Sequence, residues 1–170
     1  MKISRSIGVF CKANRVFPRK TLLTLYYALI EPHLSYGIEV WGSASKVHVQ
    51  PLCRLQKKIL RIITMSNPRC PSALIFSELN ISPLSQVYDK QILIFMYKLH
   101  NGQLPEMFYN MFELNSTESR HYNTRQQQPY HVPRVRLQIV QRSLRYTGVL
   151  LWHQYHRLLF VNGSLKSFKS

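Results

Sequence analysis

The chain has 170 residues, and 45% of them are apolar, which is enough for the core of one domain or of two small ones and excludes disorder as the default state. It carries 23 Lys and Arg residues against 7 Asp and Glu, a formal net charge of +16. A charge of this size repels itself unless an anionic partner offsets it. Nucleic acid is the first such partner to consider, and an anionic membrane surface is the second.

The sequence predicts neither a membrane span nor a disulfide framework. Its most hydrophobic region is interrupted by Glu31, His33 and Glu39, so no apolar segment approaches the ~20 residues that a span needs. The odd number of cysteines and the lack of a CxxC pair also argue against a zinc site; the three are Cys11, Cys53 and Cys70. We expect reduced thiols in an intracellular protein of the nucleus or cytoplasm, with no membrane partner.

The first elements are predicted to be helices separated by prolines. A helix over about Lys2–Asn14 ends before Pro18, which suits the first turn of a second helix. That second helix runs to about Glu31, where Pro32 breaks or kinks it. Because residues 22–30 are apolar on nearly every side, we expect a helix that is buried against several neighbours.

A short helical arm should follow through His33 and Tyr36, with Gly42 as its left-handed stop. The third long helix, Pro51–Ile63, is amphipathic, and its apolar side is formed by Leu52, Leu55, Ile59, Ile62 and Ile63. The opposite side carries cations at positions i, i+3, i+4 and i+7, namely Arg54, Lys57, Lys58 and Arg61. A solvated surface is the ordinary explanation of such a face. The absence of any Asp or Glu from the helix favours an anion-binding face instead.

Two segments of this region carry a resemblance to a known family. LYYALIEPHLSYGIEVWG (25–42) and LQKKILRII (55–63) resemble the segment after the catalytic palm in reverse transcriptases of jockey-like non-LTR retrotransposons. In that family a helical thumb grips the template–primer duplex. The resemblance implies that the chain is a thumb-like helical bundle whose partners are nucleic acid and the remainder of the polymerase.

The next segment is predicted to hold two further helices. The first covers Ser72–Leu79 and stops at Asn80, and Ser82 with Pro83 should cap a second, which extends from Leu84 to Asn101-Gly102. The resemblance continues here in IFSELNISPL and FMYKLHNGQLPEMF. The segment from residue 78 to residue 118 contains five acids and only two cations, Lys90 and Lys98. We expect this mildly acidic segment to lie away from a polyanion.

Polar residues from 113 to 130 predict a long loop. It contains HYNTR, His121–Arg125, which matches a short motif of the same family. Tyr122 and Arg125 could stack on a base and bind phosphate, or Asn123 could form an Asx turn that accounts for the pattern equally well.

After residue 118 the chain has no carboxylate, and its arginines form a second set of candidate binding residues together with Arg125: Arg134, Arg136, Arg142 and Arg145. Partial alternation over His131–Val140 predicts a short strand, which could pair with Ser143–Thr147. The following GVLLW resembles the family's closing GPxLWN element, with Val149 in place of proline and His153 in place of asparagine, and should open a terminal helix.

Catalysis is not expected from this chain alone. Polymerases hold two metal ions with several aspartates, whereas this sequence has one, Asp89, and lacks the paired-aspartate strand of a reverse-transcriptase palm. It also lacks a glycine-rich phosphate loop, GxSxG and HExxH. We expect no catalytic residues, no cofactor or metal in this chain and no small-molecule substrate; the parent polymerase would use Mg²⁺.

Together the patterns predict a mainly α fold, a multi-helix thumb-like bundle with a helical C-terminal extension and at most one small β-hairpin. Four segments are expected: a thumb-like region (1–66), a second helical segment (67–112), the polar loop (113–130) and a basic C-terminal element (131–170). The expected role is binding of template–primer nucleic acid, either RNA or DNA and foremost an RNA–DNA duplex, without sequence specificity. The alternative is a free-standing helical interaction domain, or a degenerate open reading frame with no retained activity.

Overall fold

The structure is a computed structural model that describes the backbone of residues 2–115 and 128–161, and the side chains of these residues except 2 and 156–161. The described chain is mainly α-helical and contains no strand beyond one isolated bridge, which confirms the predicted fold class. It divides into two compact units, Met1–Tyr88 (unit 1) and Asp89–Ser170 (unit 2). The predicted segment 67–112 contributes residues to both units.

Unit 1 is a bundle of six helices and the start of a seventh. Their bounds are α1 Lys2–Ala13, α2 Arg19–Leu29, α3 Glu31–Ser35, α4 Ile38–Trp41, α5 Lys46–Thr64, α6 Ser72–Leu79 and α7 Leu84–His100, the last of which continues into unit 2. Helices α1, α2 and α6 all pack against α5. The long basic helix is therefore the central element of this unit.

The core of unit 1 is aliphatic, with Phe10 and Tyr26 among its few aromatic members. Leu22 and Tyr26 form a fully buried stripe on one side of α2, and Ile30, just after the helix, extends this stripe. As expected, α2 packs against several neighbours, namely α1, α3 and α5. Its apolar surface is not fully covered, because Tyr27 and Leu29 are exposed.

Two predicted helix ends differ from the structure. Helix α5 begins at Lys46, not at Pro51, which lies inside its second turn. Gly42 is not the left-handed stop: its φ is −64°, and the left-handed residue of this arm is Gly37, with φ 61° between α3 and α4. Position 42 needs glycine for lack of space, because a Cβ there would clash with the Tyr88 ring and with the Ile38 carbonyl oxygen.

Gln56 is the buried polar residue of the unit 1 core and fixes the start of α7. Its Nε2 donates to the Tyr26 hydroxyl at 3.0 Å and to the Ser82 carbonyl at 3.1 Å. Its Oε1 accepts from the Leu84 backbone N–H at 3.2 Å. A first-turn N–H of a helix needs such an acceptor, so the cap comes from α5 rather than from the predicted Ser82 side chain.

Unit 2 contains most of α7, a 3₁₀ helix at Glu106–Met111, and two further helices, α8 Gln138–Gln141 and α9 Leu144–Val161. Its core is aromatic around the fully buried Trp152. The Trp152 ring lies 5.3 Å from His100 and 6.4 Å from Tyr130, measured between ring centroids. The predicted end of α7 is confirmed, with Gly102 at φ 70°.

The predicted strand at His131–Val140 and its pairing with Ser143–Thr147 are wrong. Residues 138–141 form α8, and α9 begins at Leu144. Of the apolar members of the alternation, Leu137 and Ile139 are exposed and Val135 is only partly buried, so the pattern has no buried face that would support a strand. The terminal helix that was expected to open at Gly148 already begins at Leu144, so Gly148 lies within α9, where a Cβ would meet the Met96 sulfur at 3.0 Å.

The ends of the predicted polar loop are joined at an isolated antiparallel bridge between Leu114 and Tyr130. The Asn115 N–H donates to the Pro129 carbonyl at 2.9 Å, and the His131 N–H donates to that of Glu113 at 2.8 Å. The HYNTR segment, His121–Arg125, lies outside the described residues.

Candidate nucleic-acid interface

The four predicted cations of α5 lie on one side of the helix, away from its packed side. The buried side chains of α5 are Gln56, Ile59, Leu60 and Ile63. At about 100° per residue their mean direction differs by roughly 160° from that of Arg54, Lys57, Lys58 and Arg61. Arg54 and Lys58 are exposed, and Lys57 and Arg61 are half-buried. We call these four residues the α5 cation face.

No carboxylate neutralises the α5 cation face within the described part of the chain. An ion pair in unit 1 joins Arg19 and Glu78 at 2.7 Å, on other helices. Arg61 is partly engaged, since its Nη2 donates to the Cys70 carbonyl at 3.4 Å. Residues 1–88 hold 12 Lys and Arg against 3 acids, so the surroundings add positive charge. This arrangement can attract an anion by charge and can donate several hydrogen bonds to it.

The length of the face suits a nucleic-acid backbone. From Arg54 to Arg61 the helix rises about 10 Å, at ~1.5 Å per residue. Over that distance a duplex carries about six phosphate charges, at one per ~1.7 Å of its axis. Four cations on one side of a rigid helix can therefore contact phosphates without contacting base edges.

The C-terminal arginines have different surroundings. Arg145 pairs with Glu113, which also lies 3.6 Å from the His131 ring. Arg142 donates from Nη2 to the Gln138 side-chain oxygen at 3.0 Å. Arg134 and Arg136 are exposed, and Arg125 lies outside the described residues.

Asp89, the one aspartate of the chain, is half-buried on α7, and burial raises the pKa of its carboxyl. Among the described residues no three His, Cys, Asp or Glu side chains come together.

A cleft beside the α5 cation face was not predicted from the sequence. Lys58 and Arg61 line it together with Cys11 and Asn14 from the end of α1. The contribution of α1 depends on how it packs on α5, and no local pattern in the sequence indicates that contact.

None of the helices in the described ranges is long and apolar enough to cross a membrane. Comparison of the chain with protein-family models, with curated proteins and with solved structures finds no significant match.

Proposed function

We propose that the chain is the thumb-like, post-palm part of a non-LTR retrotransposon reverse transcriptase and binds the template–primer duplex through the α5 cation face. The chain itself carries no polymerase centre in this proposal. The observation that carries it is a set of four cations on one side of α5 with no carboxylate partner in the described structure. The resemblance of residues 25–42 and 55–63 to the family supports the same role.

Electrostatics supports backbone binding in preference to base recognition. Lys and Arg that neutralise phosphates release condensed counterions, which makes affinity fall steeply with salt. Such contacts position a protein on the duplex and carry no sequence information. An RNA–DNA duplex is the expected ligand because it is the template–primer form that a reverse transcriptase makes.

The remainder of the polymerase is the second partner in this proposal. Helices α2 to α4 leave several large apolar side chains in solvent: Tyr27, Leu29, Tyr36 and Val40. Tyr36 is 86% exposed and Val40 is 81% exposed. Side chains of this type suit a protein contact better than a polyanion.

The salt dependence of binding tests the proposal. Changing Arg54, Lys57, Lys58 and Arg61 together to Gln should flatten the slope of log affinity against log salt by about three to four units, since each phosphate contact contributes ~0.9. The measurement is fluorescence anisotropy with an RNA–DNA duplex over a salt series. Two of the four are half-buried, so the double variant Arg54→Gln/Lys58→Gln, which changes only exposed residues, should flatten the slope by about two units.

The control is Lys90→Gln/Lys98→Gln, which removes two half-buried cations from α7 and should change the slope little. Helicity measured by circular dichroism must be retained in every variant. An unchanged slope in a folded quadruple variant would contradict the proposal and would leave the C-terminal arginines as the candidate surface.

A free-standing interaction domain is the second candidate, and the exposed apolar side chains of α2 to α4 favour it. In that case duplex binding should be weak at every salt concentration, and the α5 variants should bind as the wild type does.

A further inference from the structure

The single turn of α8 carries aliphatic side chains that extend into solvent. Leu137 is 67% exposed, Ile139 is 77% exposed and Val140 is 38% exposed. Gln138 and Gln141 are exposed as well, so the whole turn lies at the surface of unit 2. Adjacent exposed aliphatic side chains indicate an interaction surface, whereas single scattered ones do not. We call residues 134–142 the α8 segment.

The polar groups of this turn are largely bonded to one another. Four successive backbone N–H groups, at residues 140–143, donate to carbonyl oxygens three or four residues earlier. The side chain of Gln141 donates to the Val135 carbonyl at 3.2 Å, and that of Gln138 accepts from Arg142 at 3.0 Å. The turn can therefore enter an apolar medium without breaking these hydrogen bonds, whose loss there would be costly.

Arginines precede the aliphatic side chains in the α8 segment. Arg134 and Arg136 are exposed, and the sequence after residue 118 contains no Asp or Glu. A guanidinium group binds phosphate oxygens through paired hydrogen bonds. Cations beside an exposed aliphatic turn match the two layers of an anionic membrane surface, in which lipid phosphates lie outside the acyl chains.

Nucleic acid and protein fit the α8 segment less well. At about 100° per residue the side chains of Leu137, Ile139 and Val140 spread over about 160° of the turn, whereas an opened base step offers a gap of about one base layer, ~3.4 Å. Base stacking in proteins relies on aromatic rings, and the segment contains no Phe, Tyr or Trp. Protein interfaces also rely on aromatic anchors and on hydrogen bonds across the contact.

We propose that the α8 segment is a peripheral contact with an anionic lipid surface. Leu137, Ile139 and Val140 enter the boundary of the acyl chains, and Arg134 and Arg136 bind lipid phosphates. The inference goes beyond the proposed function and does not depend on it, because none of these residues belongs to the α5 cation face. A contact of this kind lies in the membrane interface and needs no spanning helix. It differs from the expectation of no membrane partner, which rested on the lack of a span.

A tryptophan in the turn tests insertion directly. The full-length variant Ile139→Trp is mixed with vesicles of phosphatidylcholine and phosphatidylserine in equal amounts, and the wild type, with Trp41 and Trp152, gives the background. The emission of the added tryptophan should shift to shorter wavelength and should be quenched by lipids that are brominated on the acyl chains. Met107→Trp, at a side chain of unit 2 that is 69% exposed, is the control and should show neither change.

Removing the aliphatic side chains should weaken vesicle binding. Leu137→Ser/Ile139→Ser should lower the affinity at least about tenfold, at low and at high salt, since ions do not screen the burial of apolar surface. The control is Val47→Ser/Leu74→Ser, which removes two exposed aliphatic side chains of unit 1 and should bind as the wild type does. Circular dichroism must show that every variant keeps its helicity.

Removing the arginines should act through charge. Arg134→Gln/Arg136→Gln should lower the affinity about tenfold or more at low salt and much less at high salt. Arg5→Gln/Lys12→Gln removes two exposed cations of unit 1 and should lower it less. Vesicles of pure phosphatidylcholine should bind the wild type at least about tenfold more weakly than the mixed vesicles.

Three results would overturn the inference. Vesicle binding that is the same in Leu137→Ser/Ile139→Ser and in the wild type would mean attraction by net charge alone. A tryptophan at position 139 that is not quenched in vesicle-bound protein would mean that the turn does not insert. A shift of its emission with an RNA–DNA duplex, and none with vesicles, would assign the α8 segment to nucleic acid. The salt slope of the α5 variants is measured with duplex and without lipid, so the proposed function fails or holds independently.

Discussion

The two units of the chain use polar groups in opposite ways. In unit 1 the hydrogen-bonding capacity of α5 is divided between its two sides: Gln56 joins Tyr26, Ser82 and Leu84 inside the core, and the cations lie outside without carboxylate partners in the described structure. In unit 2 the core is aromatic around Trp152, and the cations Arg142 and Arg145 are bound by neighbouring side chains.

The difference shows that formal charge is not the same as available charge. Unit 1 holds 12 Lys and Arg against 3 acids, and unit 2 holds 11 against 4, so composition scarcely separates them. One well-placed acid, Glu113, engages both Arg145 and the neighbouring His131. The surface with the larger expected salt response is therefore on α5, although the C-terminal sequence has the longer stretch without acids.

Removing the aromatic side chain at the centre of unit 2 should have the largest effect on stability. Trp152→Ala should lower the free energy of unfolding of that unit by about 3–5 kcal/mol, since the side chain is fully buried and leaves a cavity. Hydrogen exchange of the amides in α9 measures the change, and α5 provides the comparison within the same sample. Trp152→Phe should lower this free energy of unfolding by less than Trp152→Ala does. If Trp152→Ala reduced the hydrogen-exchange protection of α5 as much as that of α9, the two units would not have separate cores.

The polar centre of unit 1 should respond to alkaline pH. Burial raises the pKa of Tyr26 to about 12, against 10.0 in its ordinary state. The folded state therefore holds this proton more tightly than the unfolded chain. The resulting stability is complete below pH 10, is lost as the pH rises from 10 towards 12, and amounts to roughly 2–3 kcal/mol.

Tyr26→Phe separates this contribution from other titrations. At neutral pH the variant should be less stable by about 1 kcal/mol, because Gln56 loses one hydrogen-bond acceptor. Near pH 12 the order should reverse, since phenylalanine cannot ionise. Urea unfolding at both pH values measures the reversal. The control is Tyr27→Phe at the exposed neighbour, which should follow the wild type; a constant difference between Tyr26→Phe and wild type at all pH values would refute the assignment.

Removing the carboxylate that pairs with Arg145 in unit 2 should have the smallest effect on stability of these changes. Glu113→Gln removes the carboxylate that engages Arg145, so the salt slope of duplex binding should steepen by at most about one unit. Stability should change by less than ~1 kcal/mol, because both partners are substantially exposed. Glu106→Gln removes an exposed acid that has no ion pair in the described structure and is the control for net charge. An equal change in both variants would mean that Arg145 has no particular role.

Local signals in the sequence were sufficient for most helices and for the direction of the α5 cation face. Helix α6 was predicted with its observed bounds because Pro71 precedes it and Asn80 takes the left-handed conformation at its end. The face of α5 follows from helical periodicity alone, which places cations three and four residues apart on one side.

Features that depend on distant contacts could not be predicted. The cap that Gln56 provides to α7 joins residues 28 apart in the chain, and the cleft beside the α5 cation face requires α1 to pack on α5. The start of α5 was placed too late because proline favours first turns, whereas Pro51 is accommodated inside the helix. The strand predicted near residue 135 failed because alternation without a buried face does not select a strand.

The close approach of Gly148 to Met96 has a consequence for redox chemistry. Met96 is fully buried, and its sulfur lies 3.0 Å from the position that a Cβ at residue 148 would take. Because solvent does not reach this sulfur in the folded state, peroxide should oxidise Met96 only when α7 and α9 separate locally. The oxidation rate of Met96, compared with that of the exposed Met107, therefore reports how often unit 2 opens.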